Sequence, residues 1–326
     1  MDIDFAKVTA ELVRALRGRR SQVALSRRMK FRTNVVYAWE KGRRQPSLLR
    51  LLQLAELVGA DLQAAFARMY PIVPPWLQHD IRLSSLESAA QLLRDSRGAM
   101  PVVHLAKRTG LSRFAIARWL AGATEPRAWE FLCVLHHCTH RLLDFLDPLT
   151  QGKPLASLKL EYERVSAARL VAERHPMSQV LLRCLELESN SSSKSEPSYA
   201  AKLGISVEQE RQILSLLEAT GQIAHDGVRW RLLSASPLNM RLHRETAHLH
   251  REFWVEMARL HAPHAADALC AYNVCGVSRE GFDQLKRLQR EYLQKARAVI
   301  EASEPVQRVV LMQINVVSLV EDAPRA

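Results

Sequence analysis

Between positions 21 and 44 the chain sets out a dense run of hydrogen-bonding and cationic side chains: Ser21, Gln22, Arg32, Thr33, Asn34, Tyr37, Lys41, Arg43 and Arg44. Their chemistry is recognition. Guanidinium and amide groups bond acceptors in pairs, hydroxyls bond singly, and fixed positive charge attracts anions. The charge is concentrated at this end. Residues 1–70 hold 14 basic and 6 acidic side chains, so +8 of the net +12 lies in the first fifth of the chain. The segments 71–150, 151–235 and 236–326 carry only +2, +1 and +1. A basic block on a near-neutral body is the footprint of a module that binds a polyanion.

Bond-making chemistry has no comparable signature. Serines, histidines and carboxylates are scattered without ordered spacing. Phosphate-binding and dinucleotide glycine loops, nucleophile elbows, H-E-x-x-H and paired C-x-x-C are all missing from the sequence. The expectation is a protein that is not an enzyme and uses no cofactor and no metal. The five cysteines (Cys133, Cys138, Cys184, Cys270 and Cys275) are odd in number and fit a reduced, cytoplasmic setting better than a disulfide framework. Cys133, His137 and His140 in CVLHHCTH share one helical side and invite a metal, as do His243, His248, His250, His261 and His264. The expectation is packing and surface roles for both sets: zinc sites usually draw ligands from two separated clusters, which CVLHHCTH does not offer, and the later histidines have helical placement. The apolar run Val309–Val320 is too short to span a bilayer, and the start of the chain lacks a secretory core.

The elements that must position the polar run are helical. Apolar residues make up 48% of the chain, and Gly (12) and Pro (14) are sparse among many Leu, Ala and Arg. The chain also repeats itself at an offset of 80. Trp39, Gly42 and Pro46 recur as Trp119, Gly122 and Pro126; Leu25, Val36, Leu52 and Leu62 recur as Leu105, Ile116, Leu132 and Leu142. What repeats is a packing plan. In the first copy, helical spacing predicts Asp4–Leu16, a helix capped by Ser21 and ending near Arg28, a turn at Met29–Phe31, and a helix over Thr33–Lys41 stopped by Gly42. A fourth helix opens at Pro46-Ser47, and a fifth is capped by Asp61. Two short helices joined by a tight turn inside such a unit are a helix-turn-helix.

The stretch SQVALSRRMKFRTNVVYAWEKGRRQPSLLRLLQLAELVGADL resembles the phage-repressor type of helix-turn-helix domain, the XRE family. Ser21-Gln22, Leu25, Val36, Trp39-Glu40, Gly42 and Pro46 fall where that family's pattern places them. The resemblance covers roughly residues 5–66 and implies binding to double-stranded DNA. The helix after the turn would enter the major groove, with Arg32, Thr33 and Asn34 at base edges and Tyr37 one turn on. Ser21 and Gln22 would hold a phosphate at a helix N-terminus, and Lys41, Arg43 and Arg44 would meet the backbone. Val36 and Trp39 face the core.

The second copy has lost much of this equipment. Gln22 becomes Val102, Glu40 becomes Leu120, Arg43-Arg44 becomes Ala123-Thr124, and Arg32-Thr33-Asn34 becomes Ser112-Arg113-Phe114. Arg113 and Arg118 still suit DNA; alternatively Phe114 and Leu120 join an interdomain or subunit contact. Further on, a helix at Ser178–Glu188, a polar loop around Ser191–Ser193, short and long helices at Tyr199–Leu203 and Val207–Thr220, and a hairpin about Asp226-Gly227 predict a winged helix. Glu208 and Glu210 at its reading end would repel phosphates, which favours a structural or interaction role over DNA reading. Beyond it, a helix at Leu238–Leu260, a strand at Ala266–Val277, a helix at Arg279–Ala302 and a strand at Val306–Val320 predict an α+β part that self-pairs in a dimer.

The stretches AAKLGISVEQERQILSLLEATGQI, RLHRETAHLHREFWVEMA and VVLMQINVVSLVED resemble a bacterial family that joins a winged helix to a C-terminal domain in helix-turn-helix regulators. The expected architecture is therefore mainly α. It comprises two tandem five-helix helix-turn-helix domains (1–70 and 71–150), a connector with a winged helix (151–235), and a C-terminal α+β dimerisation or sensing domain (236–326). The expected function is a homodimeric transcription regulator, a repressor of its own or a neighbouring operon, with an effector that no residue names. A protein-interaction component of antitoxin or phage-defence type, with DNA binding secondary, is the alternative.

Overall fold

Helix α1 (Phe5–Arg17) buries Phe5, Val8, Leu12, Val13 and Leu16 along one stripe, the spacing that lets a helix cover a core. Asp4 caps it by accepting from the Lys7 amide at 2.9 Å, and Gly18 ends it at φ 58°, ψ −129°, a conformation open to glycine. In this computed structural model the described residues are 3–70, 73–78, 81–189, 199–233, 247–271, 273–303 and 305–320. They contain sixteen α-helices and one two-stranded sheet, so the protein is mainly α-helical with a small open sheet.

Helices α2 (Gln22–Arg28), α3 (Val35–Glu40), α4 (Leu48–Val58) and α5 (Leu62–Ala67) follow. Then α6 (Leu86–Arg97), α7 (Val102–Thr109), α8 (Arg113–Leu120), α9 (Ala128–Thr139) and α10 (Leu142–Leu149) retrace the same course. The offset of 80 holds in backbone detail: Gly98 repeats Gly18 at φ 56°, ψ −129°, and Gly42 and Gly122 stand at φ 67° and 68°. The two copies share one core, with Phe66 of α5 and Phe145 of α10 at 6.0 Å between ring centroids and Phe131 of α9 at 5.7 Å from Phe145. About 60 residues make a marginal core alone; pooling two copies buries more apolar surface per residue.

The copies also meet through backbone. Ser47 and Arg127, equivalent positions, pair as an isolated antiparallel bridge. The Leu48 amide donates to the Pro126 carbonyl and the Ala128 amide to the Pro46 carbonyl, both at 3.0 Å.

The chain divides into two compact units, one up to Val165 and the other from Ser166; the break falls within α11 (Lys159–Arg174). In the second unit α12 (Met177–Ser189), α13 (Ala200–Leu203) and α14 (Val207–Ala219) precede strands β1 (Ile223–His225) and β2 (Trp230–Leu232). The strands pair antiparallel, with Ile223 opposite Leu232. Leu181, Leu185, Ile213, Leu217 and Ile223 form their core, joined by Met257 of α15 (Ala247–His261). At the hairpin turn, Asp226 accepts from the Arg229 and Val228 amides at 2.9 and 3.0 Å and pairs with Arg231. Those bonds, the Arg229 amide first, draw its carboxyl down to about 2.

The final part departs from expectation. Helix α16 (Arg279–Ala302) is formed, capped by Ser278, which accepts from the Gly281 amide at 3.0 Å. Among the described residues neither Ala266–Val277 nor Val306–Val320 is a strand. A strand exists only when its N–H and C=O groups meet a partner ladder, and among the described residues none is aligned with either segment. Many of their apolar side chains stay in solvent, with Leu269 96%, Leu319 80% and Val320 89% exposed. The expected helix from Leu238 is formed from Ala247 onward; its earlier part, with Leu242 and His243, and the loop at Asn190, Ser191–Ser193 and Lys194 lie outside the described residues.

Candidate nucleic-acid interface

Helix α3 is anchored by what it buries. Val36 is fully buried, and Trp39, on the same side, meets Phe31 edge-on at 5.7 Å. Lys30, at φ 64°, makes the tight turn between α2 and α3. Ser26, itself buried, ties the two helices: its hydroxyl lies 2.8 Å from the Gln22 carbonyl, 3.3 Å from Asn34 Oδ1 and 3.2 Å from the donating Val36 amide. Sequence spacing had not singled out Ser26. Its one signal was a small polar residue on an otherwise apolar face.

Helix α3 is shorter than the Thr33–Lys41 span expected, because Asn34 is its N-cap. Asn34 Oδ1 accepts from the Tyr37 amide at 3.2 Å as well as contacting Ser26. The acceptor needed for bidentate bonding to adenine is thus already engaged, and the amide nitrogen is the group left to reach outward. Arg32 and Thr33, just ahead of the helix, are exposed, as are Lys41, Arg43 and Arg44 just behind it. Tyr37 is half-buried, with the Arg43 guanidinium 5.4 Å from its ring centroid, a cation–π stack that fixes both groups. Arg27, Arg28 and Lys30 are also exposed at the turn and add charge that motif spacing did not pick out.

Ser21 is exposed and caps α2, its hydroxyl 3.4 Å from the Ala24 amide. Gln22, expected to point at a phosphate, donates its amide to Glu40 at 2.6 Å. Glu40 also receives Arg17, at 2.5 Å from Nε, with side chains only 5% and 18% exposed. The paired guanidinium offsets the carboxylate. Gln22 keeps a second amide proton for an outside acceptor.

The second copy replaces this network wholesale. Ser26, Gln22, Asn34 and Glu40 have Ala106, Val102, Phe114 and Leu120 as counterparts. Arg97, the counterpart of Arg17, donates to the Met100 carbonyl at 2.8 Å, while its Nε is buried with no hydrogen-bond partner. Arg113 and Arg118 are exposed on α8. Arg113 lies 4.7 Å over the ring of Phe114, whose side chain is 68% exposed. Cys133 and Cys138 sit inside the shared core. His136, half-buried against Phe5 and beside His137, is pushed down to about 4, chiefly by burial and then by the His137 charge.

In the second unit the two carboxylates expected at the reading end are not alike. Glu210 is buried and accepts from the Tyr199 and Ala200 amides at 2.7 and 3.2 Å, capping α13. Only Glu208 of the pair is exposed. His250 is buried, its Nε2 2.8 Å from the Glu173 carbonyl, which requires that nitrogen to carry the proton. Cys270 and Cys275 are exposed.

The exposed groups around α3 can neutralise phosphates and bond base edges. Among the described residues no His, Cys, Asp and Glu side chains group as a metal site would require, and no helix is long and apolar enough to cross a membrane. The chain matches no family model, no curated protein and no solved structure.

Proposed function

We propose that the chain is a sequence-specific DNA-binding transcription regulator of the helix-turn-helix type, acting as a homodimeric repressor on its own or a neighbouring operon. The reading rests on one observation: a six-residue helix buries Val36 and Trp39 while exposed Arg32 and Thr33 precede it and exposed Lys41, Arg43 and Arg44 follow it. Helices entering the major groove read bases from their N-terminal residues and meet phosphates at flanking positions. The helix–helix–helix–hairpin of the second unit is read as a winged helix with a structural or interaction role. The apolar segments around Leu319 are read as the self-pairing surface.

A binding titration of the full chain on duplexes from its own upstream region tests this. Affinity should fall steeply with salt, and one region should be protected over competitor DNA. Arg32→Ala should cost about 1–3 kcal/mol on that site and relax its sequence preference. Arg43→Ala should weaken all duplexes alike and reduce the salt slope by about 1. Salt-insensitive or undetectable binding overturns the reading. Co-purification with a tightly held protein partner would then favour the interaction role, for which the exposed Phe114 is the supporting feature.

A further inference from the structure

Ser47 and Arg127 are equivalent residues of the two copies, and they pair with each other. The bonds beside them are reciprocal: Leu48 amide to Pro126 carbonyl, and Ala128 amide to Pro46 carbonyl, each at 3.0 Å. Leu48 and Pro46 are in turn the counterparts of Ala128 and Pro126. When residue i of one copy meets residue j of the other and j meets i, the relation is a local twofold, the isologous contact of a symmetric dimer. Here it is built inside one chain, and the shared core around Phe66 and Phe145 cements it.

Helix α3 ends at Glu40 and α8 at Leu120, each seven residues before the pairing position. Both ends are tethered to the dyad by equal lengths of chain. Seven residues span at most about 25 Å, so a spacing of about 34 Å between the two helices, one turn of DNA, is within reach.

We propose that a single chain is a complete dyad reader: it binds an inverted repeat of two unlike half-sites, the first read from α3 and the second from α8. This rests on the DNA-binding reading above. The unlikeness follows from the residues. The first half faces Arg32, Thr33 and Asn34; the second faces Ser112, Arg113 and Phe114. Arg113 suits a guanine, and the exposed Phe114 ring suits a thymine methyl. With few phosphate contacts of its own, the second half binds weakly and is delivered to its site by its linkage to the first.

The test enriches duplexes from a random 40-bp pool on the full chain and measures footprint and chains bound per duplex. Two inverted, unlike half-sites per chain, about one turn apart, are expected. Arg113→Ala should relax preference in the weaker half by about tenfold and leave the stronger half unchanged. Uracil for thymine in the weaker half, which removes the methyl group, should reduce affinity several-fold for the native chain and not for Phe114→Ala. Enriched duplexes carrying one half-site per chain overturn the dyad while leaving the DNA-binding reading intact. Failure to enrich any duplex overturns both.

Discussion

Asn34 has two duties that substitutions can separate. It caps α3 through Oδ1, and its amide nitrogen is the group proposed to meet a base. Asn34→Ala should cost about 1 kcal/mol of stability from the lost cap in addition to site preference. Asn34→Ser keeps a capping oxygen and loses the amide. It should unfold at nearly the native urea concentration yet discriminate poorly between sites. If Asn34→Ser reads its site as well as the native chain, the base contact is not made by Asn34. His136 offers a second residue-level outcome. Unfolded, the ring titrates near its ordinary 6.5; folded, burial holds it near 4. Between those values the unfolded state binds more protons, so stability is full above about pH 6.5 and falls as pH drops toward 4. The difference amounts to roughly 3 kcal/mol. Urea unfolding from pH 7 to 4.5 should show a shallower decline in His136→Gln than in the native chain.

At the scale of elements, the two copies are controls for one another. Arg17 has Glu40 as its partner, while Arg97 has Leu120 at the matching position and a buried Nε without a bond. Leu120→Glu should therefore rebuild the pair and raise the unfolding midpoint. That gain should vanish in Arg97→Met/Leu120→Glu, where the new carboxylate has no cation. The reverse change, Glu40→Leu, strips the partner from Arg17 and Gln22 together and should cost about 3 kcal/mol, as breaking a largely buried pair does. Helices α2 to α5 were legible to within one or two residues from caps and glycines, because Ser21, Asp61 and Gly42 act on their immediate neighbours. The shortened start of α3 and the inward turn of Glu210 were not. Asn34 is also tied to Ser26, eight positions away, and Glu210 bonds the Tyr199 amide, eleven positions away, and sequence spacing does not rank such partners.

At the scale of the whole chain, the charge surplus and one dense run of exposed apolar residues lie far apart in sequence. The surplus of cations lies in residues 1–70, and a run of exposed valines and leucines lies between Val309 and Val320. If that segment pairs with a second copy, Leu319→Asp should move the protein from dimer to monomer in sedimentation velocity while leaving the helical circular dichroism unchanged. An unaltered dimer would place self-association elsewhere.

Composition, periodicity and the offset of 80 determined by themselves that the protein is helical, that a basic module stands first, and that its helix plan is used twice. These are local or statistical properties, fixed by neighbours along the chain. Only the tertiary structure decided that the two copies share a core and clasp each other through Pro46–Leu48 and Pro126–Ala128, that Asn34 and Glu210 serve as caps, and that the C-terminal apolar runs pair with no ladder among the described residues. Each of these turns on which distant groups meet in space. Strand-forming residues without an edge to pair with remain extended segments, and no pattern along the sequence supplies that edge.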